Sequence, residues 1–166
     1  MHALIAAPSA ALADIASDLC RGRSCLVECE KPDTVSLMAE LRDRLTASLL
    51  AWDVVDGRPI AKKGDREDQG VITTMLVQMR KRVRAIHTRT AVALPYLDIL
   101  AAAVAGLTFE SREVVPLLYE NPEIVWLAFR DPSLRLLTVV EKRFEGRYVI
   151  EARIPSDFAA ESAGQG

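Results

Sequence analysis

Histidine is almost missing from this 166-residue chain: His2 and His87 are the only two, and no Ser/His/acid or Cys/His set can be built around either. His2 sits at the terminus and His87 at the end of a basic run, read as a solvent-facing helix position. Nothing remains from which to build a hydrolytic triad. Cysteine is sparse too. Cys20, Cys25 and Cys29 are odd in number and clustered, which speaks against a disulfide framework. Cys25 and Cys29 would face the same side of one strand. Zinc would need further ligands, and the spacing fits no common zinc pattern. Buried free thiols and no metal are expected.

Long hydrophobic runs are also lacking. No window supplies the ~20 apolar residues that cross a bilayer. The apolar opening "MHALIAAPSAALADIASDLC" has no basic n-region and carries Asp14 and Asp18 within a helical pattern. It reads as an amphipathic helix and not a signal peptide, so a cytoplasmic location is expected. A formal net charge of -2 removes any general attraction for nucleic acid or acidic membranes. The strongest local excess, "RKRVRAIHTR" with Arg80, Lys81, Arg82, Arg84 and Arg89, is read as a solvated helix face, and nucleic acid is not expected as a partner.

What is present suits one packed domain: half the residues are hydrophobic and 27% are charged. Residues 1–155 are expected to form it, with 156–166 as a flexible tail. A helix over 9–19 precedes a strand at 24–29 and a helix at 34–47, capped by Asp33 or Thr34. "ASLLAWDVVDG" is a second apolar run closed by the Asp56–Gly57 turn signal. The polar "RPIAKKGDREDQG" reads as an exposed loop, and "VITTMLVQMRKRVRAI" has helical period. A strand at 90–94 ends at Pro95. An alanine-rich short helix closed by Gly106 follows, then the helix "SREVVPLLYENP", with Pro116 tolerable only near its first turn. "EIVWLAF" is a buried strand, "LLTVVEKRF" is helical, and "GRYVIEARIP" carries the last strand. Apolar strands separated by helices mean a mostly parallel five-stranded sheet covered on both faces, a three-layer αβα domain. Trp52, Trp126, Phe129 and Tyr148 could serve an interface, but their place on or beside strands favours the core.

In "SCLVECEKPDTVSLMAEL", residues 24–41, a strand, a short loop and a helix open the domain. A phosphate loop placed there would need glycines for close backbone approach, a lysine for the phosphates and a Ser/Thr hydroxyl for magnesium. No glycine lies between 23 and 56, and Lys31 comes too early.

On the order and spacing of several segments, residues 10–155 resemble the nucleotide-binding αβα core of the AAA+ ATPases, a P-loop NTPase fold. "QGVITTMLVQMRKRVRAIHTRTAVALPYLDIL" looks like the family's second helix and the strand carrying its Walker B acids. "ESREVVPLLYENPEIVWLAFRDPS" looks like the helix before the sensor strand and then that strand, and "LLTVVEKRFEGRYVIEARIP" like the segment with an arginine finger and a last strand. The resemblance implies the strand order 5-1-4-3-2, with the first strand central. Read residue by residue, it also implies a degenerate nucleotide site. Cys29, Glu30, Lys31, Pro32, Asp33, Thr34, Val35 and Ser36 stand at the phosphate loop, with Val35-Ser36 where the family has Lys-Thr. Pro95 and Tyr96 fall on the Walker B acids, Asp98 two residues later, and Arg130 near the polar sensor. Without the lysine and the acid, phosphates and magnesium lose their partners, so no cofactor is expected. Arg143, with Arg147 behind it, matches the arginine finger. Arg58, Ile60, Lys62 and Lys63 fall in a segment that lies near the central pore in active members. The family's helical lid is expected to be missing.

Three functions follow from this reading. The first is a non-catalytic AAA+-like protein acting by association with itself or with an active ATPase partner. The second is a nucleotide-binding ATPase with an unorthodox loop, its charge supplied by Lys31, Lys62 or Lys63 and its cofactor ATP with magnesium. The third is a bacterial regulatory or scaffold domain that has kept only the fold.

Overall fold

The computed structural model describes residues 4–5, 8–56, 67–97, 109–133 and 135–151. In chain order the elements are β1 (Leu4–Ile5), α1 (Pro8–Cys20), β2 (Cys25–Glu28), α2 (Lys31–Ala47), β3 (Ala51–Val54) and α3 (Glu67–Ala85). Then come β4 (Thr90–Leu94), α4 (Phe109–Glu120), β5 (Ile124–Arg130), α5 (Thr138–Glu141) and β6 (Gly146–Val149). The segment 58–63, Asp98, the stretch ending at Gly106 and the tail 156–166 lie outside the described residues.

All pairings in the sheet are parallel, and its order is β1-β6-β2-β5-β4-β3. Without β1 this is the expected 5-1-4-3-2 arrangement, with the 24–29 run central. The strands are short aliphatic runs in which neighbouring residues serve opposite faces. Cys25, Val27, Cys29 and Phe129 pack with Leu12, Ile15 and Leu19 of α1 and Leu37, Leu41 and Leu45 of α2. Leu26, Val92 and Trp126 pack on the other face with Met75 and Met79 of α3, Val114 and Leu118 of α4 and Val140 of α5. Trp126 and Phe129 are fully buried and Tyr148 nearly so, which places them in the core.

Several boundaries differ from the sequence reading. A sixth strand, β1, adds two residues beside β6 and is too short to show periodicity. Helix α2 starts at Lys31, with Glu30 as N-cap in place of Asp33 or Thr34. Pro32 in the first turn needs no N–H there, and its fixed φ suits a helix start. Pro116 lies well inside α4, not near its first turn. It faces solvent, while Val114, Leu117 and Leu118 anchor the helix to the core. The segment around "LLTVVEKRF" contributes only one helical turn. Cys20 is exposed, so only Cys25 and Cys29 are the buried thiols expected. His87 is exposed just beyond α3.

Helices α1 and α2 stop in the same way. Arg23 N–H donates to the Asp18 carbonyl and Gly22 N–H to that of Leu19, with Gly22 at φ 84°. After α2, Leu50 N–H donates to the Leu45 carbonyl and Leu49 N–H to that of Thr46, with Leu49 at φ 62°. Both are Schellman stops, which favour glycine at the left-handed position. Leu49 occupies it while 94% exposed, so its side chain gains no burial in return. At the start of β6, a Cβ on Gly146 would sit 2.8 Å from Cys25 Sγ and 2.9 Å from Asp18 Oδ2. The buried Asp18 carboxylate also accepts a hydrogen bond from the Tyr148 hydroxyl.

Two substitutions are expected to move stability in opposite directions, as read by urea unfolding. Leu49→Gly relieves about 1–2 kcal/mol of left-handed strain against about 0.5–1 kcal/mol of added chain entropy, a net gain of about 0.5 kcal/mol. Gly146→Ala overpacks α1 against the sheet and is expected to cost about 2 kcal/mol. An alanine protein of unchanged stability would mean that α1 slides freely on β6.

Candidate functional site

In an open parallel sheet, ligands bind beyond the carboxyl ends of the strands, where successive crossovers leave for opposite faces. Here β2 leads to α2 on one face and β5 to α5 on the other, so the crevice lies between β2 and β5. Glu28 and Arg130, the last residues of those strands, are register partners. Only Cys29 and Glu30 separate β2 from α2. The Cys29 N–H donates to the Arg130 carbonyl at 3.0 Å, and the Asp33 N–H to the Glu30 carbonyl at 3.0 Å. Pro32 has no N–H. The backbone donors that would cradle a phosphate are therefore largely spent or missing.

Asp33 and Thr34 are buried, and the Cys29 thiol lies 3.6 Å from Thr34 Oγ1. Ser36 Oγ donates to the Asp33 carbonyl at 3.1 Å, while Val35 faces out, 60% exposed. Asp33 in the first turn already complements the positive end of the helix dipole. Lys31 reaches across the end of β5: its Nζ donates to the Pro95 carbonyl at 3.4 Å and lies 5.2 Å from the centre of the Tyr96 ring. The fold thus brings together Lys31 and the Pro95–Tyr96 pair, the segments likened in the sequence to a phosphate loop and to Walker B, with the lysine on a carbonyl and an aromatic face. Nearby, the Ser133 hydroxyl and N–H hold the Asp131 carboxyl below its usual range, helped by the Lys31 charge.

The crevice itself holds an ionic network. The Arg130 guanidinium bridges Glu28, at the end of β2, and Glu141 Oε1 of α5, the latter at 3.0 Å. Arg147 joins from β6, donating to the Glu141 carbonyl at 2.9 Å with its carboxylate at 3.7 Å. These four side chains line a cavity of about 250 Å³ together with Leu26 and Val149. The Nε atoms of Arg130 and Arg147 are buried and find no hydrogen-bond partner among the described residues. Arg143 stands apart. Its Nε donates to the Leu118 carbonyl at 2.7 Å, and its guanidinium stacks 5.6 Å from the centre of the Tyr119 ring. Burial lowers its pKa, and its two Nη groups make no hydrogen bond among the described residues.

Sequence reasoning missed Glu28 and Glu141. A lone acid closing the apolar run "CLVE" was the available signal for Glu28; nothing in the spacing links Glu141 to it. Tyr119, 52% exposed, was also missed as the aromatic available for contact. Among the described residues no group of three or more His, Cys, Asp or Glu is placed to hold a metal, and no helix is long and apolar enough to cross a membrane.

No protein-family model and no curated protein matches this chain. Among solved structures it is similar to a chain in the E. coli MS115-1 HORMA:CdnC:Trip13 complex, at 12% identity over 84% of this chain and 51% of that one, TM-score 0.49. The genome packaging NTPase B204 from Sulfolobus turreted icosahedral virus 2, in complex with ATP-gammaS, matches at 12% identity, 75% and 72% coverage and TM-score 0.45. Saccharomyces cerevisiae RIF2 matches at 12% identity, 87% and 54% coverage and TM-score 0.45. The chain spans about half the length of the first and third of these. Likenesses this distant add nothing to the fold already given by the sheet order.

Removing Arg130 strands the Glu28 carboxylate and leaves that of Glu141 only Arg147 at 3.7 Å; each acid is about three-quarters buried. Arg130→Ala is expected to cost about 2 kcal/mol, below the range for fully buried pairs because some solvent reaches the site. Arg130→Lys should recover less than half of it, since an ammonium cannot fork between two acids. Denaturant midpoints read both, and an alanine variant as stable as the parent would show that the network contributes nothing.

Proposed function

We propose that this chain is a non-catalytic, AAA+-like protein that works by association, with copies of itself or with an active ATPase subunit. The observation that carries this reading is the start of α2. A two-residue connection, spent N–H groups, Pro32 and a buried Asp33 stand where a polyphosphate would need open donors and positive charge. In the adjoining crevice the charges of Arg130 and Arg147 are already taken up by the carboxylates of Glu28 and Glu141. Pro95 and Tyr96 offer no side-chain oxygen that could anchor magnesium as a carboxylate does. The alternative of an ATPase with an unorthodox loop would draw on Lys31, Lys62 or Lys63, but Lys31 is already engaged with Pro95 and Tyr96. The bare scaffold reading predicts the same missing chemistry without a partner ATPase.

Calorimetry with magnesium and ATP is expected to give no saturable heat, which places any dissociation constant above about 1 mM. Micromolar binding, or ATP turnover abolished by substituting Val35 or Asp98, would overturn the reading.

Arg143 distinguishes association with an ATPase from retention of the fold alone. Anchored through Nε and stacked on Tyr119, it keeps both Nη groups for a neighbour's phosphate. In a mixed assembly Arg143→Ala is expected to slow turnover while leaving assembly intact, since such fingers act on the transition state and are worth roughly 10³–10⁵ in rate in the GTPase cases. Lysine should substitute poorly. A pull-down from the native organism that yields no ATPase, with a monomer by light scattering, would reduce Arg143 to an ordinary surface charge.

A further inference from the structure

The opposite, amino-terminal edge of the sheet gathers arginines that the fold does not use. Arg21 follows α1, Arg44 lies in the last turn of α2, and Arg89 immediately precedes β4. All three are exposed, and none of their side chains makes a hydrogen bond or ion pair among the described residues. Arg21 and Arg44 line one open groove of about 530 Å³ between α1 and α2, with Ala16, Ser17, Ala47 and Ser48 among its other walls and no acid in its lining. Arg89 lies against the next residue after Arg21: a Cβ on Gly22 would collide with its guanidinium. Arg21 therefore stands between Arg44, which shares its groove, and Arg89, which lies against the turn at Gly22. Arg23, by contrast, is used within the fold, 3.7 Å from Asp18 and 3.4 Å from Glu145.

The carboxyl ends of α1 and α2 account for part of this charge, because each carries about half a negative charge that a nearby arginine offsets. That leaves the Arg89 charge and a positive remainder with no acid to meet it, on a chain whose net charge is -2. We propose that this groove and turn bind the phosphate backbone of a nucleic-acid duplex. The guanidinium fork suits phosphate oxygens, and the small alanine and serine walls let a backbone approach closely. The cations are spread along an open groove and a turn, which fits a polymer better than a single phosphate. The groove's lining has no aromatic ring or side-chain amide, and its arginines are assigned here to phosphates, which carry no sequence information. Of the basic run that closes α3, only Arg89, beyond the helix, contributes; the patch exists only once the chain is folded.

The purified full chain, with no partner present, can be titrated against a fluorescent duplex of about 20 base pairs by anisotropy over a range of salt, with three phosphate contacts giving a log–log slope of about -2.7. Replacing Arg21, Arg44 and Arg89 together by alanine is expected to weaken binding at least tenfold and flatten that slope. If this variant does not fold, glutamine at the same positions reads the same loss. Arg112→Ala with Arg135→Ala, at two other exposed arginines, should leave binding unchanged. Absence of binding at low salt, an equal loss in the control pair, or displacement of the duplex by micromolar pyrophosphate would each overturn the assignment. A failure here leaves the association reading untouched, because that one is read from ATP titrations and mixed assemblies.

Discussion

Four residues, Cys25–Glu28, are hydrogen-bonded to a strand on each side and covered by helices on each face. Such a strand can carry apolar side chains in succession, because neither face meets water. Its position also dictates what surrounds it. Cys25 and Val27 require α1 and α2 above them, and Leu26 requires α3 to α5 below. The first polar side chain, Glu28, appears where the strand leaves the core. There a carboxylate needs a counter-charge, and Arg130 on the neighbouring strand supplies it. The ionic network in the crevice is thus a direct result of ending a fully buried strand in an acid.

The same burial governs the chemistry of the interior. Desolvation pushes the Cys25 thiol well above its ordinary pKa, with the Asp18 charge adding to it. Tyr148 is raised as well, by burial and by its hydrogen bond to Asp18. Both stay protonated at neutral pH, so neither offers a nucleophile. Asp18 is held by Tyr148 and lies near Arg23, over the one position where β6 has no side chain. These contacts join α1 to the last strand.

The sheet was legible in the sequence because its strands are apolar runs, and "EIVWLAF" or "TAVAL" cannot be exposed without large cost. β1 was not, since two residues carry no period and its placement comes from pairing with β6. The start of α2 was misjudged by assigning the cap to the usual residue types; Glu30 fills that position without a side-chain cap bond, and Pro32 fits just inside. At the candidate site, missing glycines and an early lysine could be read directly. What replaces them could not. The Glu28–Arg130–Glu141–Arg147 set comes from four elements, and each member alone looks like an ordinary surface charge. The arginines at the amino edge were hidden for the same reason: a run of basic residues drew attention to α3, while these cations lie in three different segments.

One topological detail sets the order in which the chain can finish folding. β6 is inserted between β1 and β2, so Cys25 pairs with Gly146, which is made long after it. Until residues 146–149 have been made and have paired, β2 has one open edge, and a buried apolar strand with open donors is what drives mispairing between chains. The other boundary is better protected: on β3 the Val54 N–H is taken by the Asp53 side chain, whose other oxygen holds Arg82 at 2.5 Å. Synthesis therefore leaves the middle of the sheet, and not its rim, exposed longest. A sheet of this design depends on β6 for closure, and a chain stopped before Gly146 would be left prone to aggregate.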